Sequence, residues 1–149
     1  MASVVLLFIC PVHGEPMREV SEAQVVADWG LQGCSHARRG GKRQVLLMDA
    51  ETLAEMDLQP GQVKENIVTG GLNLRALEKG QRLRIGGALL EVTIPCEPCN
   101  FIEGIRPGLQ ERMRGKRGML SRVLQGGLIR SGDPIEVVPP ASLPASFGV

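Results

Sequence analysis

Apolar residues fall along the chain in short unbroken or alternating runs, broken by turn residues every few positions. Ser3-Val4-Val5-Leu6-Leu7-Phe8-Ile9 is a continuous apolar run that stops at Pro11, the pattern of a fully buried strand. Arg43 to Met48 reads as a second strand. Asp49 then caps a short helix over 50–56, with Glu51 placed in its first turn. Pro60-Gly61 marks a turn, and Val63 to Thr69 is strand-like up to Gly70-Gly71. Arg82 to Ile85 and Ala88 to Thr93 flank Gly86-Gly87, a two-residue hairpin signal. Pro107 to Arg114 has helical spacing at Leu109 and Met113. Met119 to Leu124, Leu128 to Arg130 and Ile135 to Val138 are three further short strands. Residues 18–30 fit strand and helix equally. Many short strands, frequent turns and two or three short helices predict a mainly β fold, a closed or nearly closed mixed β-barrel. The chain of 149 residues is one domain, with a loosely held tail over 139–149.

Composition narrows the chemistry. A net charge of +1 speaks against nucleic acid or an acidic membrane as the main partner, and the near absence of aromatics leaves no stacking platform for single strands. The first apolar run has no basic segment before it, so it reads as a strand rather than a leader, and no other run reaches the length of a membrane span. Four cysteines in a chain of this size do not form a disulfide scaffold; reduced thiols and a cytoplasmic location are expected.

The residue that stands out is Cys99, in Pro95-Cys96-Glu97-Pro98-Cys99. Two prolines stop the preceding apolar strand, so the cysteine is expected at a strand end on partly open backbone. A thiolate there suits a soft metal or a carried sulfur atom. No serine triad, Walker loop or Gly-x-Gly-x-x-Gly run competes with it. Cys96 and Cys99 also form a Cys-x-x-Cys pair, open to a redox gate, a second metal thiolate or a plain buried thiol. A zinc site from Cys10, His13, Cys96 and Cys99 has the right ligand types, and a thioredoxin-like dithiol is a further reading.

Several segments, in order, resemble the MOSC domain, the family named for the C-terminal domain of molybdenum-cofactor sulfurase. They are Gly30-Leu31-Gln32-Gly33 with His36-Ala37, Arg43-Gln44-Val45, Glu65-Asn66-Ile67-Val68-Thr69, Gly80 to Leu90, Pro98-Cys99, Gly118-Met119, and Gly126-Gly127 through Gly132-Asp133. The resemblance implies a β-rich barrel with a pocket for a molybdenum cofactor (molybdopterin), and the family's Pro-Cys position, sulfur carrier or metal ligand, falls on Cys99. Cys96 is a possible second ligand. For the cofactor's phosphate and pterin it points to Arg38, Arg39 and Arg43 of the basic loop, to His36, Glu65 and Asn66, and to Arg122. The activity implied is sulfur transfer or reduction of N-hydroxylated compounds, with an external electron or sulfur donor protein. A non-catalytic cofactor carrier and a zinc-stabilised binding module are the alternatives. Two positions depart from the commoner family pattern: Cys34 stands where many members have an aspartate, and Cys96 where many have an arginine.

Overall fold

In the computed structural model, which describes residues 1–138, the apolar runs become strands. They are β1 (Ser3–Ile9), β2 (Arg18–Val20), β3 (Glu22–Val26), β4 (Gly30–Leu31), β5 (Val45–Asp49), β6 (Ile67–Gly70), β7 (Arg82–Ile85), β8 (Ala88–Pro95), β9 (Met119–Gln125), β10 (Gly127–Arg130) and β11 (Ile135–Val138). Three short helices, α1 (Ala50–Glu55), α2 (Asn100–Ile105) and α3 (Leu109–Arg112), and a 3-10 turn over Leu74–Ala76 complete the set. The expected tail over 139–149 lies outside the described residues. The ambiguous segment 18–30 is strand throughout its regular parts, the helix expected over 107–114 is the shorter α3, and α2 before it was not anticipated.

Eight strands form one mixed sheet in the order β11-β7-β8-β9-β5-β6-β1-β2, and β10-β3-β4 form a second. Among the described residues only β5 and β6 run parallel, so α1 and the loop after it make the crossover between them. The larger sheet is open, which corrects the expected barrel. It curls until β1 meets the segment before β11, where Val4 N donates to Asp133 O (2.8 Å) and Gly132 N to Val4 O (2.7 Å). Contact there is one isolated bridge, Ser3 to Pro134. Ile135 N also donates to Ala2 O (3.0 Å), and the rest of that edge of β1, from Leu7 to Ile9, is taken by β2.

Alternation along β5 explains why its first four residues are all buried. Val45 and Leu47 face one core with Leu7, Ile67, Leu83, Leu90 and Val92, closed by Ala23, Val25, Leu31 and Ile129 of the smaller sheet. Met48 faces the other side, where Phe8 and Val68 pack with Leu53 and Met56 around α1 and with Ile102, Leu109 and Met113 of α2 and α3. The Asp49 carboxylate accepts from Thr52 N (2.9 Å) and Thr52 Oγ1 (2.6 Å), the N-cap that the sequence announces. The Gly86-Gly87 hairpin packs on Gly126-Gly127 so closely that a Cβ at Gly127 would lie 2.1 Å from the Gly87 carbonyl oxygen. Glycine is required there by contact between backbones.

Because Leu47 is fully buried between layers, Leu47→Ala should destabilise the fold by about 2–5 kcal/mol, whereas Val5→Ala, at an exposed position, should change it by less than about 0.5 kcal/mol. Urea unfolding of the two variants checks this; equal effects would contradict the layer assignment.

Candidate functional site around the Cys96–Cys99 segment

β8 hydrogen-bonds to β7 on one side and to β9 on the other, and its last paired residue, Pro95, faces Met119. The chain then leaves the sheet. Cys96 N still donates to Gly118 O (2.9 Å), which holds the first thiol beside the entry to β9. Gly118 itself has φ of +113°, and a Cβ on it would sit 2.4 Å from Leu47 O, so glycine at this position is what allows the close approach. Cys99 immediately precedes α2, and its carbonyl accepts from Ile102 N (3.0 Å) and Glu103 N (3.3 Å).

The four cysteines are free and differ in access: Cys10 and Cys34 are buried, Cys96 is half-buried, and Cys99 is exposed. Burial pushes the Cys96 thiol up; Arg117 and Arg43 pull it down, and Cys99 and Glu97 add to the rise. Cys96 is thereby held as a thiol. Arg117 is 5% exposed, yet its Nε and Nη1 have no hydrogen-bond partner. A guanidinium does not lose its proton, so a fixed charge with unfilled donors lies beside Cys96. Its place beside Gly118 in the sequence marks it, with Arg122, as a cation that faces the pocket or the phosphate; its burial comes from tertiary contacts.

Glu65 and Asn66 are also interior. Glu65 Oε2 accepts from Gly61 N (3.0 Å), while Oε1 has no partner. Burial raises the Glu65 carboxyl above the ordinary range, opposed by the Gly61 N–H and by the Arg117 charge. Asn66 spends its side chain on the fold: Oδ1 accepts from Leu46 N (3.1 Å), and Nδ2 donates to Phe8 O (3.3 Å) and Cys34 Sγ (3.4 Å). Cys34 Sγ also accepts from Cys10 N (3.4 Å), so this buried cysteine serves as an acceptor between the segments that follow β1 and β4.

The basic loop is pinned by a residue that the sequence reading did not single out. Buried Gln44 donates from Nε2 to Asp28 Oδ1 and to Arg38 O, both 3.0 Å, and its Oε1 accepts from Val123 N (2.9 Å). Arg38 is exposed, and Arg39 lies over the Trp29 ring at 5.9 Å. Arg43 is exposed, and its charge reaches Cys96. His36 is half-buried, edge-on to His13 with ring centroids 6.2 Å apart; burial, then Lys64 and Arg38, hold its pKa below the usual histidine value. Arg122 is tied to Glu91 (Nη2 to Oε1, 2.7 Å) on the exposed face of β9. The structure therefore gathers Cys96, Cys99, Arg43, Glu65 and Arg117 into one region. Arg122 belongs to a neighbouring surface, and Arg38 and Arg39 point their charges elsewhere. The expected zinc set is not assembled. Among the described residues no three His, Cys, Asp or Glu side chains gather to hold a metal, and the Cys10 thiol is turned to Val12 O (3.1 Å) and Glu15 O (3.3 Å).

A family model for the MOSC domain matches residues 35–136, more than half of the chain, with Cys96, Cys99, Arg43, Glu65 and Arg117 inside it. The chain belongs to the MOSC domain family. Crystal structures similar to this MOSC protein include the YuaD protein from Bacillus subtilis, at 20% identity and a TM-score of 0.76, with 92% of this chain and 96% of that one covered. YiiM from Geobacillus stearothermophilus is 21% identical with a TM-score of 0.76, over 95% and 77% of the two chains. YiiM from Escherichia coli is 24% identical with a TM-score of 0.70, over 93% and 70%. At these identities the likeness establishes a shared fold. No curated protein matches the chain. No helix among the described residues is long and apolar enough to cross a membrane.

Two outcomes follow from the interior polar residues. Asn66→Ala strips a buried partner from Leu46 N and Phe8 O and should destabilise by about 1–3 kcal/mol in urea unfolding. A raised carboxyl pKa means that the folded state holds the Glu65 proton more tightly. Its contribution is fully present below the ordinary glutamate value of about 4.3 and is lost as pH climbs through the raised value. The stability of wild type relative to Glu65→Gln should accordingly fall as pH rises from 4 toward neutrality; a difference independent of pH would contradict the raised carboxyl.

Proposed function

We propose that this MOSC protein binds a molybdenum cofactor of the molybdopterin type and works in sulfur transfer or in the reduction of N-hydroxylated compounds, with Cys99 as the sulfur carrier or metal ligand. One observation carries the reading. Of four free thiols only Cys99 is exposed, and it stands at the end of β8 where the backbone is held by Cys96 N to Gly118 O. An accessible thiol with a half-buried second thiol close by is a donor set suited to a soft metal. Unfilled buried donors on Arg117 and an unfilled acceptor on Glu65 in the same region are polar atoms that the fold alone leaves unpaired.

When bound, the cofactor would supply the redox centre that accepts or delivers electrons, or receives sulfur. The chain's own residues do the rest. Cys99 presents its sulfur to the open side. Cys96, kept protonated by burial, stays a thiol until a cation or metal approaches. His36 remains neutral near pH 7 and is able to accept a proton. Electrons or sulfur then come from an external donor protein that reaches exposed Cys99, in a cytoplasmic setting where the thiols stay reduced.

The test is to express the protein in cells that make the cofactor and to measure molybdenum and oxidised-pterin fluorescence in wild type, Cys99→Ser and Cys96→Ala. Cys99→Ser should lose molybdenum or any persulfide by at least about tenfold with an unchanged unfolding midpoint, because the exposed thiol supports no packing. Undiminished molybdenum in Cys99→Ser would remove Cys99 from the role. Full cofactor content without turnover would assign the protein as a carrier.

A further inference from the structure

A second feature lies beside the thiol region, on the outer side of β8. Two loops that are distant in sequence are tied to consecutive residues of this one strand. Buried Thr93 donates from Oγ1 to the carbonyl of Lys42, fixing the end of the basic loop. On the other side Gly80 N donates to Val92 O and Val92 N to Gln81 O, both 2.8 Å, fixing the turn that carries Lys79. Between them is a cavity of about 320 Å³ lined by Gly40, Gly41, Lys42, Lys79, Gly80, Glu91, Val92, Thr93 and Arg122. That volume falls at the lower end of small-molecule pockets.

Its charge is one-sided. Lys42, Lys79 and Arg122 line it with one carboxylate, Glu91, which is already held from both sides, and the Asp28 carboxylate behind the lining is occupied by Gly40 N (2.9 Å) and Gln44. Arg82 Nε lies 3.4 Å from Glu91 Oε2, and Arg122 donates to Oε1 through Nη2 (2.7 Å) and Nε (2.8 Å). The cross-strand register Arg82–Glu91–Arg122 makes this arrangement part of the ladder. Arg122 keeps Nη1 for a ligand, and neither lysine has an ion-pair partner among the described residues. Gly40 and Gly80 turn at φ of +73° and +90°, and a Cβ at either would meet no atom within 4 Å, so their backbones bound the cavity without side-chain bulk.

We propose that this cavity is a phosphomonoester site, with Lys42, Lys79 and Arg122 as its cations. The source of the ester, the phosphate of the pterin cofactor, rests on the reading above; the site itself rests on the cavity. Three cations lining a space with one neutralised carboxylate suit a dianion, and the pinned backbones fix where the two lysines leave the chain. The assignment replaces Arg38 and Arg39, which lie outside the cavity, with two lysines brought in by long-range hydrogen bonds.

Calorimetry with phenyl phosphate and with inorganic phosphate tests this on the full chain. The Lys42→Ala/Lys79→Ala double variant should weaken phenyl phosphate by about three- to thirtyfold, and added salt should weaken the wild type further. Arg18→Ala/Arg112→Ala, which removes the same charge from exposed positions elsewhere, should bind as wild type does. Absence of phenyl phosphate binding, no loss in the lysine variant, or equal losses in both double variants would overturn the site. Inorganic phosphate binding as tightly as phenyl phosphate would make it a free-anion site and overturn the ester assignment. Cys99→Ser should keep its phenyl phosphate affinity, so loss of molybdenum there and loss of phosphate here report on separate claims.

Discussion

Everything chemical in this protein hangs on the pairing of β8. The strand hydrogen-bonds to β7 on one side and to β9 on the other, and its residues serve in succession: Glu91, Val92 and Thr93 form the wall of the cationic cavity, Pro95 is the last pair with β9, and Cys96 and Cys99 follow. A strand has a side-chain period of two, so a slip of one residue would turn Leu90 and Val92 out of the core and Glu91 into it. The Gly86-Gly87 turn sets that register from one end, through a backbone contact with Gly126-Gly127 that admits no Cβ. At the other end the hydrogen bond from Cys96 N to Gly118 O sets it again.

The thiol region is built on unequal access and unequal charge. Two of the four cysteines are ordinary interior residues. Cys34 accepts N–H bonds from Cys10 and Asn66, as a weak, uncharged acceptor. Cys96 is half shielded and Cys99 is open. Between this pair and the interior lies Arg117, whose charge acts on both Cys96 and Glu65. One permanent cation thus sits beside two acids whose charged forms burial disfavours, and any anion formed on either acid is stabilised by the same guanidinium. Two anions at once would share one countercharge, so ionising one group disfavours ionising the other.

What the sequence made legible was local. The Asp49 cap, the Gly86-Gly87 hairpin, the strand before Pro95 and the exposed position of Cys99 each follow from a few adjacent residues, and each stands in the structure. The MOSC resemblance rested on such segments and holds over residues 35–136. What was not legible came from distance in the chain. Lys79 reaches the cavity only because Gly80 pairs with Val92, and the burial of Arg117 is set by contacts that its neighbours in the chain do not announce. The open seam has the same origin. Pro134 reads as a turn residue, but that it meets β1 at Ser3 depends on how far the sheet curls.

The pins on Val92 and Thr93 have a consequence for how this surface tolerates change. Each loop is anchored at the residues that meet β8, and the stretches leading up to those anchors run over open surface. Residues may be gained or lost there at little entropic expense, since closing a somewhat longer loop adds only a fraction of a kcal/mol, about 0.6 for a doubling. The spacing of the two lysines is then a property of one strand's pitch rather than of either loop. Loop length and site geometry become separate variables, free to vary without disturbing each other.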